Sequence, residues 1–138
     1  MHEAIQLIRT PLLTDRAPYA YAAVASDVRS LVFTAGACPL DERGETVAPG
    51  DIAAQAEQVM ANLRVALAAA GAELTDVVKT TVYVATRDRQ DLTTAWEVVS
   101  GHFGGHDVPS TLLGVTVLGY RDQLVEVEAV AALRTRAD

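Results

Sequence analysis

The hydrophobic pattern is clearest near the end of the chain. In "LVEVEAVA", residues 124–131, Val125, Val127, Ala129 and Ala131 fall on one side of an extended backbone, and Leu124, Glu126, Glu128 and Val130 fall on the other. The β-branched run "DVVKTTVYVAT" (76–86) predicts a strand. "AIQLIR" (4–9) predicts a short first strand, and "YAYAAVA" (19–25) and "SLVFTAG" (30–36) predict a hairpin around "SDVR". "STLLGVTVL" (110–118) and "LVEVEAVAAL" (124–133) read as a final strand pair. The period changes in "DIAAQAEQVMANLRVALAAAG" (51–71). Ala56, Val59, Met60, Leu63, Ala66, Leu67 and Ala70 make an apolar stripe at helical spacing, and Gln55, Glu57, Gln58, Asn62 and Arg64 mark the wetter side. Asp51 suits the N-cap and Gly71 the C-cap. A weaker helix spans 88–103, with Leu92, Ala95, Trp96, Val99 and Phe103 facing inward, and "GGHDVP" ends it.

The order β, ββ, α, β, α, ββ predicts one α+β domain over 1–138, with a mixed or mostly antiparallel sheet and both helices on one face. Glu126 and Glu128 then lie on the far face, among apolar residues that suit bare solvent poorly. A second subunit covering that face, with a pocket around the acids, is the expectation.

Composition narrows the function classes. Half of the 138 residues are hydrophobic and 21% are charged, an ordinary globular profile. The formal charge of -7, with basic residues scattered along the chain, argues against binding driven by phosphate neutralisation, so no nucleic-acid partner is expected. No signal-like segment or membrane-length apolar run is visible, which leads to the expectation of a cytoplasmic protein with no membrane partner. The single cysteine, Cys38, excludes an internal disulfide, and without an acid–base partner nearby in sequence it reads as a small buried residue. His2 is terminal. His102 and His106 flank "FGG" beside Asp107, at a spacing that matches no metal-ligand pattern. Trp96 reads as core or pocket wall, and Tyr19, after Pro18, as a strand-end residue able to project its hydroxyl into a cleft.

"APY" (17–19), "FTAG" (33–36), the block from "DIAAQAEQVM" to "TTVYV" (51–84) and "LVEVEAVA" (124–131) together resemble the RidA (YjgF) family, over nearly all of 17–133. The resemblance implies a chorismate-mutase-like α+β fold. It also implies a homotrimer with a central barrel and a small-molecule ligand at each subunit interface. The family activity it implies is hydrolysis of reactive enamines and imines to a keto acid and ammonia, with no cofactor or metal. Tyr19 matches the family's pocket tyrosine, Gly36 the glycine whose backbone approaches the ligand, and Glu126 the water-positioning acid. The arginine that pairs with the substrate carboxylate falls on Thr111, the pocket serine on Ala35 and the pocket asparagine on Trp96. Leu113 joins the expected pocket wall, and Arg121 in "GYRDQ" is the candidate substitute for the arginine.

Loss of the arginine removes a charge-assisted pair worth roughly 1.5–3 kcal/mol. Glu126, Thr111 and Tyr19 on an apolar wall of Ala35, Trp96 and Leu113 suit a neutral or weakly polar molecule better than an amino-acid-derived imine. The expected function is a divergent small-molecule enzyme of this family acting on an imine, enamine or carbonyl-type metabolite, by hydrolysis, deamination, tautomerisation or cyclisation, with Glu126 as water-positioning acid or general base. The alternative is a trimer that binds a metabolite without turning it over. A standard 2-aminoacrylate deaminase ranks behind both, and a ribonuclease behind that.

Overall fold

A computed structural model of the chain describes residues 5–134. Ala4, at the start of the predicted first strand, and His2 and Arg136 lie outside them. Six strands and two long helices run in the order β1 (Ile5–Ile8), β2 (Ala22–Ala25), β3 (Val28–Phe33), α1 (Ile52–Ala69), β4 (Val77–Ala85), α2 (Arg89–Phe103), β5 (Ser110–Val115) and β6 (Val125–Arg134).

Local chemistry sets the helix ends. The Asp51 carboxylate accepts from the Ala54 N–H at 3.0 Å, which satisfies one of the free donors of the first turn. At the other end Gly71 takes a φ of +83°, Ala72 N–H reaches back to Leu67 O and Gly71 N–H to Ala68 O. That pair of bonds closes α1 in a Schellman motif, for which a glycine in the left-handed region is the favoured residue. Asp88 caps α2 through the Gln90 N–H at 2.9 Å.

The main sheet has the order β3-β6-β4-β5. β6 lies antiparallel to both β3 and β4, and β5 lies parallel to β4, reached through α2. The sheet is therefore mixed, with both helices packed on it. Val125, Val127, Ala129 and Ala131 of β6 and Val77, Val82 and Val84 of β4 are buried with Val59, Met60, Leu63 and Leu67 of α1 and Ala95, Val99 and Phe103 of α2. Each large aliphatic side chain among these contributes about 1.5–3 kcal/mol through burial.

Three pairings and positions differ from the sequence reading. β2 does not form a hairpin with β3; it pairs with β1 in a separate two-stranded sheet, Ile5 opposite Ala25 and Ile8 opposite Ala22, while β3 is taken up by the longer β6. β5 and β6 are not neighbours, because β4 lies between them. Gln55 is fully buried rather than wet, and Ala66 and Ala70 are exposed. The Gln55 amide explains its position: it donates to Ala48 O and Asp122 O and accepts from the Leu124 N–H, tying two loops to α1. A polar side chain with every group paired is compatible with the interior.

Candidate functional site

The open face of the main sheet carries the residues with chemistry. Alternation along β6 turns Glu126 and Glu128 away from the helices. Pairing then places Tyr83 of β4 opposite Glu126 and Thr81 opposite Glu128. On β5, Thr111 aligns with Thr81 and Leu113 with Tyr83.

Glu126 is shaped by a bulge next to β3. Phe33 pairs with Val130, and Thr34 N–H bonds Ala129 O. The next bridge joins Ala37 to Val127, so Ala35 and Gly36 lie in a stretch with one residue more than β6 has opposite it. Bulges of this kind re-aim side chains at sheet edges. The bulge brings the Gly36 backbone against Glu126. A Cβ at position 36 would lie 2.1 Å from Glu126 Oε2, 2.5 Å from Cδ and 2.7 Å from Cγ. Only glycine leaves that space to the carboxylate. Ala35, at the position of the family serine, is exposed in the bulge and brings no hydroxyl.

Two residues that the sequence reading did not place in the site complete it. Gln123 is buried, and its Nε2 donates to Glu126 Oε1 at 3.0 Å and to Val125 O at 3.1 Å. Cys38 Sγ lies 3.3 Å from the same Oε1 and 3.4 Å from Gly36 O. Burial first, then the hydrogen bond to Glu126 and its negative charge, push the Cys38 thiol up to about 11, against a smaller opposing effect of Gln123. Cys38 is thus a protonated donor at neutral pH, half-buried where the sequence suggested a buried residue, and beside an acid 88 positions away in sequence.

The next row along the sheet is a second cluster. Glu128 Oε1 accepts from the Tyr83 hydroxyl at 2.7 Å, and that bond is the main cause pushing the Tyr83 phenol above its ordinary value. Lys79 Nζ donates to Thr111 Oγ1 at 2.7 Å. A concavity of about 210 Å³ lies here, lined by Phe33, Lys79, Thr81, Glu128 and Val130 among others. Thr111 therefore has a cation beside it, supplied by Lys79 rather than by Arg121. Arg121 sits exposed in the turn before β6, where its carbonyl accepts from the Thr46 hydroxyl. Its side chain has no hydrogen-bond partner among the described residues.

Tyr19 and Trp96 are brought together, edge to face with ring centroids 6.4 Å apart. Tyr19 precedes β2 rather than starting it, and Trp96 lies on α2, partly exposed. Neither shares a hydrogen bond or ring contact with Glu126 or Thr111 among the described residues. The two histidines among the described residues are engaged structurally: His102 Nε2 lies 2.9 Å from Glu57 and His106 Nε2 lies 2.7 Å from Val77 O. No group of three or more His, Cys, Asp or Glu residues converges as a metal site among the described residues, and no helix there is long and apolar enough to cross a membrane.

Comparison with known proteins places this arrangement among relatives. The model of the family described as endoribonuclease L-PSP matches residues 13–133. A RutC family protein of Pyrococcus abyssi is 34% identical over 122 residues, covering 87% of this chain and 94% of that protein. A 2-iminobutanoate/2-iminopropanoate deaminase of Salmonella typhimurium is 32% identical over 127 residues, covering 89% of this chain and 97% of that enzyme. Among solved structures, a Yersinia pestis protein of the conserved Rid family, described as of unknown function, superposes with a TM-score of 0.87 at 28% identity. That match covers 95% of this chain and all of the other.

Proposed function

The chain belongs to the RidA (YjgF) family, and from that premise we propose that it is a hydrolase of small imine, enamine or carbonyl-type metabolites in which Glu126 positions and activates water. The observation that carries this reading is the Glu126 carboxylate itself. It is a half-buried acid fitted over a bare glycine, with Oε2 free of any hydrogen-bond partner among the described residues. A confined, oriented carboxylate is what general-base attack by water requires.

The chemistry runs as follows for an imine. Water oxygen forms a bond to the imine carbon while its proton passes to Glu126 and from there to the nitrogen, giving a carbinolamine. The hydroxyl proton then passes through the same carboxylate to the nitrogen as the carbon–nitrogen bond breaks, so ammonia leaves, a carbonyl product remains and Glu126 is ionised again. The Gly36 N–H, which donates no hydrogen bond to the described residues, and the hydroxyls of Tyr19 and Thr111 are the groups that orient the substrate.

The complete pocket forms between subunits of a homotrimer. Two features support this. First, Glu126 and Thr111 lie on strands separated by β4 and are offset by two residues along them, roughly 12 Å apart from two strand spacings and two residue rises, and Tyr19 and Trp96 share no hydrogen bond or ring contact with either among the described residues. A second copy is needed to bring these groups around one small ligand. Second, Leu31, Phe33 and Leu113 leave 54%, 72% and 42% of their surface exposed on the open face, a patch that a neighbouring copy would cover.

Substrate preference follows from Thr111. Lys79 offers a point charge there instead of a planar guanidinium fork, so a carboxylate is held by fewer, less directional bonds. A neutral or weakly polar substrate fits this wall better. The word endoribonuclease in the family description finds no electrostatic support in a chain of formal charge -7. The replacement of the arginine by Thr111 is also what favours a second reading, a trimer that binds such a metabolite without turnover.

The test compares ammonia release from freshly generated 2-iminopropanoate and its uncharged analogue 2-iminopropane, with wild type and Thr111→Arg. Wild type is expected to favour the uncharged imine, and Thr111→Arg to raise kcat/KM on the carboxylate by at least about tenfold. Fast wild-type turnover of the carboxylate would overturn the preference. Ligand binding with no turnover of any imine would establish the second reading.

A further inference from the structure

We propose that Gln123 and Cys38 form a donor clamp on one oxygen of Glu126, fixing Oε1 and leaving Oε2 as the oxygen that meets water or substrate. The inference rests on the catalytic reading of Glu126 and adds two positioning residues to it.

The clamp is over-determined. The Gln123 amide has each of its groups committed. Its Oε1 accepts from the Tyr120 N–H at 3.1 Å, and its two Nε2 hydrogens go to Val125 O and Glu126 Oε1. Turning the amide over would set its oxygen against two acceptors and its NH2 against a donor, so the orientation is forced. With 4% of its surface exposed, Gln123 has no water with which to exchange these bonds.

Cys38 reaches the same oxygen from the segment that follows the Ala37–Val127 bridge. Its backbone is held in place from α1, because Asn62 Nδ2 donates to Cys38 O at 2.8 Å and Leu40 O at 2.9 Å. The single S–H hydrogen has two acceptors within reach, Glu126 Oε1 and Gly36 O. The ionised carboxylate is the stronger of the two. The thiol keeps its proton at neutral pH, so Cys38 acts as a donor and not as a nucleophile.

Two donors therefore converge on Oε1 and none on Oε2. Oε2 occupies the space above Gly36 that any other residue's Cβ would fill. The bulge, the glycine and the clamp together define one rotamer and one working oxygen. Side-chain freedom at a general base costs rate directly, since the base must meet water within hydrogen-bond distance at the moment of attack.

The experiment has two arms on the full-length protein. In the kinetic arm, Cys38→Ala and Gln123→Met are each expected to lower kcat on the preferred imine by about tenfold, the loss of one hydrogen bond to a charged group, with KM changed less than about twofold. Cys38→Ser keeps a donor and is expected to recover most of the loss. In the second arm the rate of Cys38 alkylation by iodoacetamide is followed against pH by intact mass, which is unambiguous because the chain has a single cysteine. Glu126→Gln removes the charge and weakens the acceptor, so the onset of alkylation shifts to lower pH, whereas Gln123→Met shifts it higher.

Unchanged kcat in Cys38→Ala and Gln123→Met overturns the clamp, as does an alkylation profile that Glu126→Gln does not move. A wild type inactive on every imine, with the alkylation shift intact, overturns the catalytic role and not the contact. The two failures are thereby distinguishable. Gln123→Met carries a folding risk, which the Cys38 pair of variants does not share.

Discussion

Gly36→Ala is the most informative single substitution, because its effect follows from three distances. The added Cβ would meet Glu126 Oε2, Cδ and Cγ at 2.1, 2.5 and 2.7 Å. Swinging the carboxylate tip relieves only the first of these; clearing Cγ requires the whole side chain to leave its rotamer. Oε1 then withdraws from Gln123 Nε2 and Cys38 Sγ, now at 3.0 and 3.3 Å. The bond from a buried amide to a charged oxygen is worth roughly 1.5–3 kcal/mol, and a thiol donor adds less. Rehydration of the displaced, half-exposed carboxylate returns part of this. Alanine also restricts the unfolded chain, a gain of about 0.4–1 kcal/mol. The net loss is about 1–2 kcal/mol, and for a domain of this size the melting temperature falls by roughly 3–8 °C. Thermal unfolding measures this, and ammonia release measures the accompanying fall in kcat, at least about tenfold. In the Glu126→Ala background the clash is gone, so Gly36→Ala should then cost almost nothing in stability, a coupling of about 1 kcal/mol or more. A Gly36→Ala protein that melts and turns over like wild type would refute the placement of Glu126 over Gly36.

Three other outcomes are expected. Gln55→Leu strands Ala48 O, Asp122 O and the Leu124 N–H, so it should destabilise by about 2–4 kcal/mol in urea unfolding despite its apolar fit; a neutral result would contradict the role of Gln55 as the tie between the loops. If the proposed trimer forms through the exposed patch, Phe33→Asp places a charge in it and is expected to shift the light-scattering mass from trimer to monomer without loss of helix content; a variant that stays trimeric would put the interface elsewhere, and a monomeric wild type would contradict the trimer. A thiol whose folded pKa lies above its unfolded value binds its proton more tightly in the native state. Its contribution to stability is therefore intact below about pH 9 and is lost as pH rises towards about 11. The unfolding free energy of Cys38→Ser should decline less steeply across that window than that of wild type, and parallel curves would contradict the assignment.

What the sequence displayed was local. The caps of α1 were legible because capping depends on one side chain and one glycine φ, at Asp51 and Gly71. The inward and outward faces of β6 were legible because alternation is a property of one strand. Partners were not, because alternation assigns faces and not neighbours: β2 pairs with β1 in a separate sheet rather than with β3, and β4 lies between β5 and β6. Gln55 sat among Glu57 and Gln58 and read as wet, since its burial depends on loops that close over it from distant parts of the chain. The site divides in the same way. Glu126 stood out in the alternation of β6, Gly36 and the role of the acid came from the family resemblance, and the structure puts the two in contact. Gln123, Cys38 and Lys79 carried no motif, and only the three-dimensional register brings them to Glu126 and Thr111.

The role of Glu126 is tested most directly by the rate of ammonia release from freshly generated imines by wild type and Glu126→Gln, each first shown to be folded and of equal mass. A general base at Glu126 requires measurable wild-type turnover and a kcat in Glu126→Gln lower by about 100-fold or more, the range for removal of such a group. Equal turnover by the two proteins, or none from a folded wild type, would contradict it.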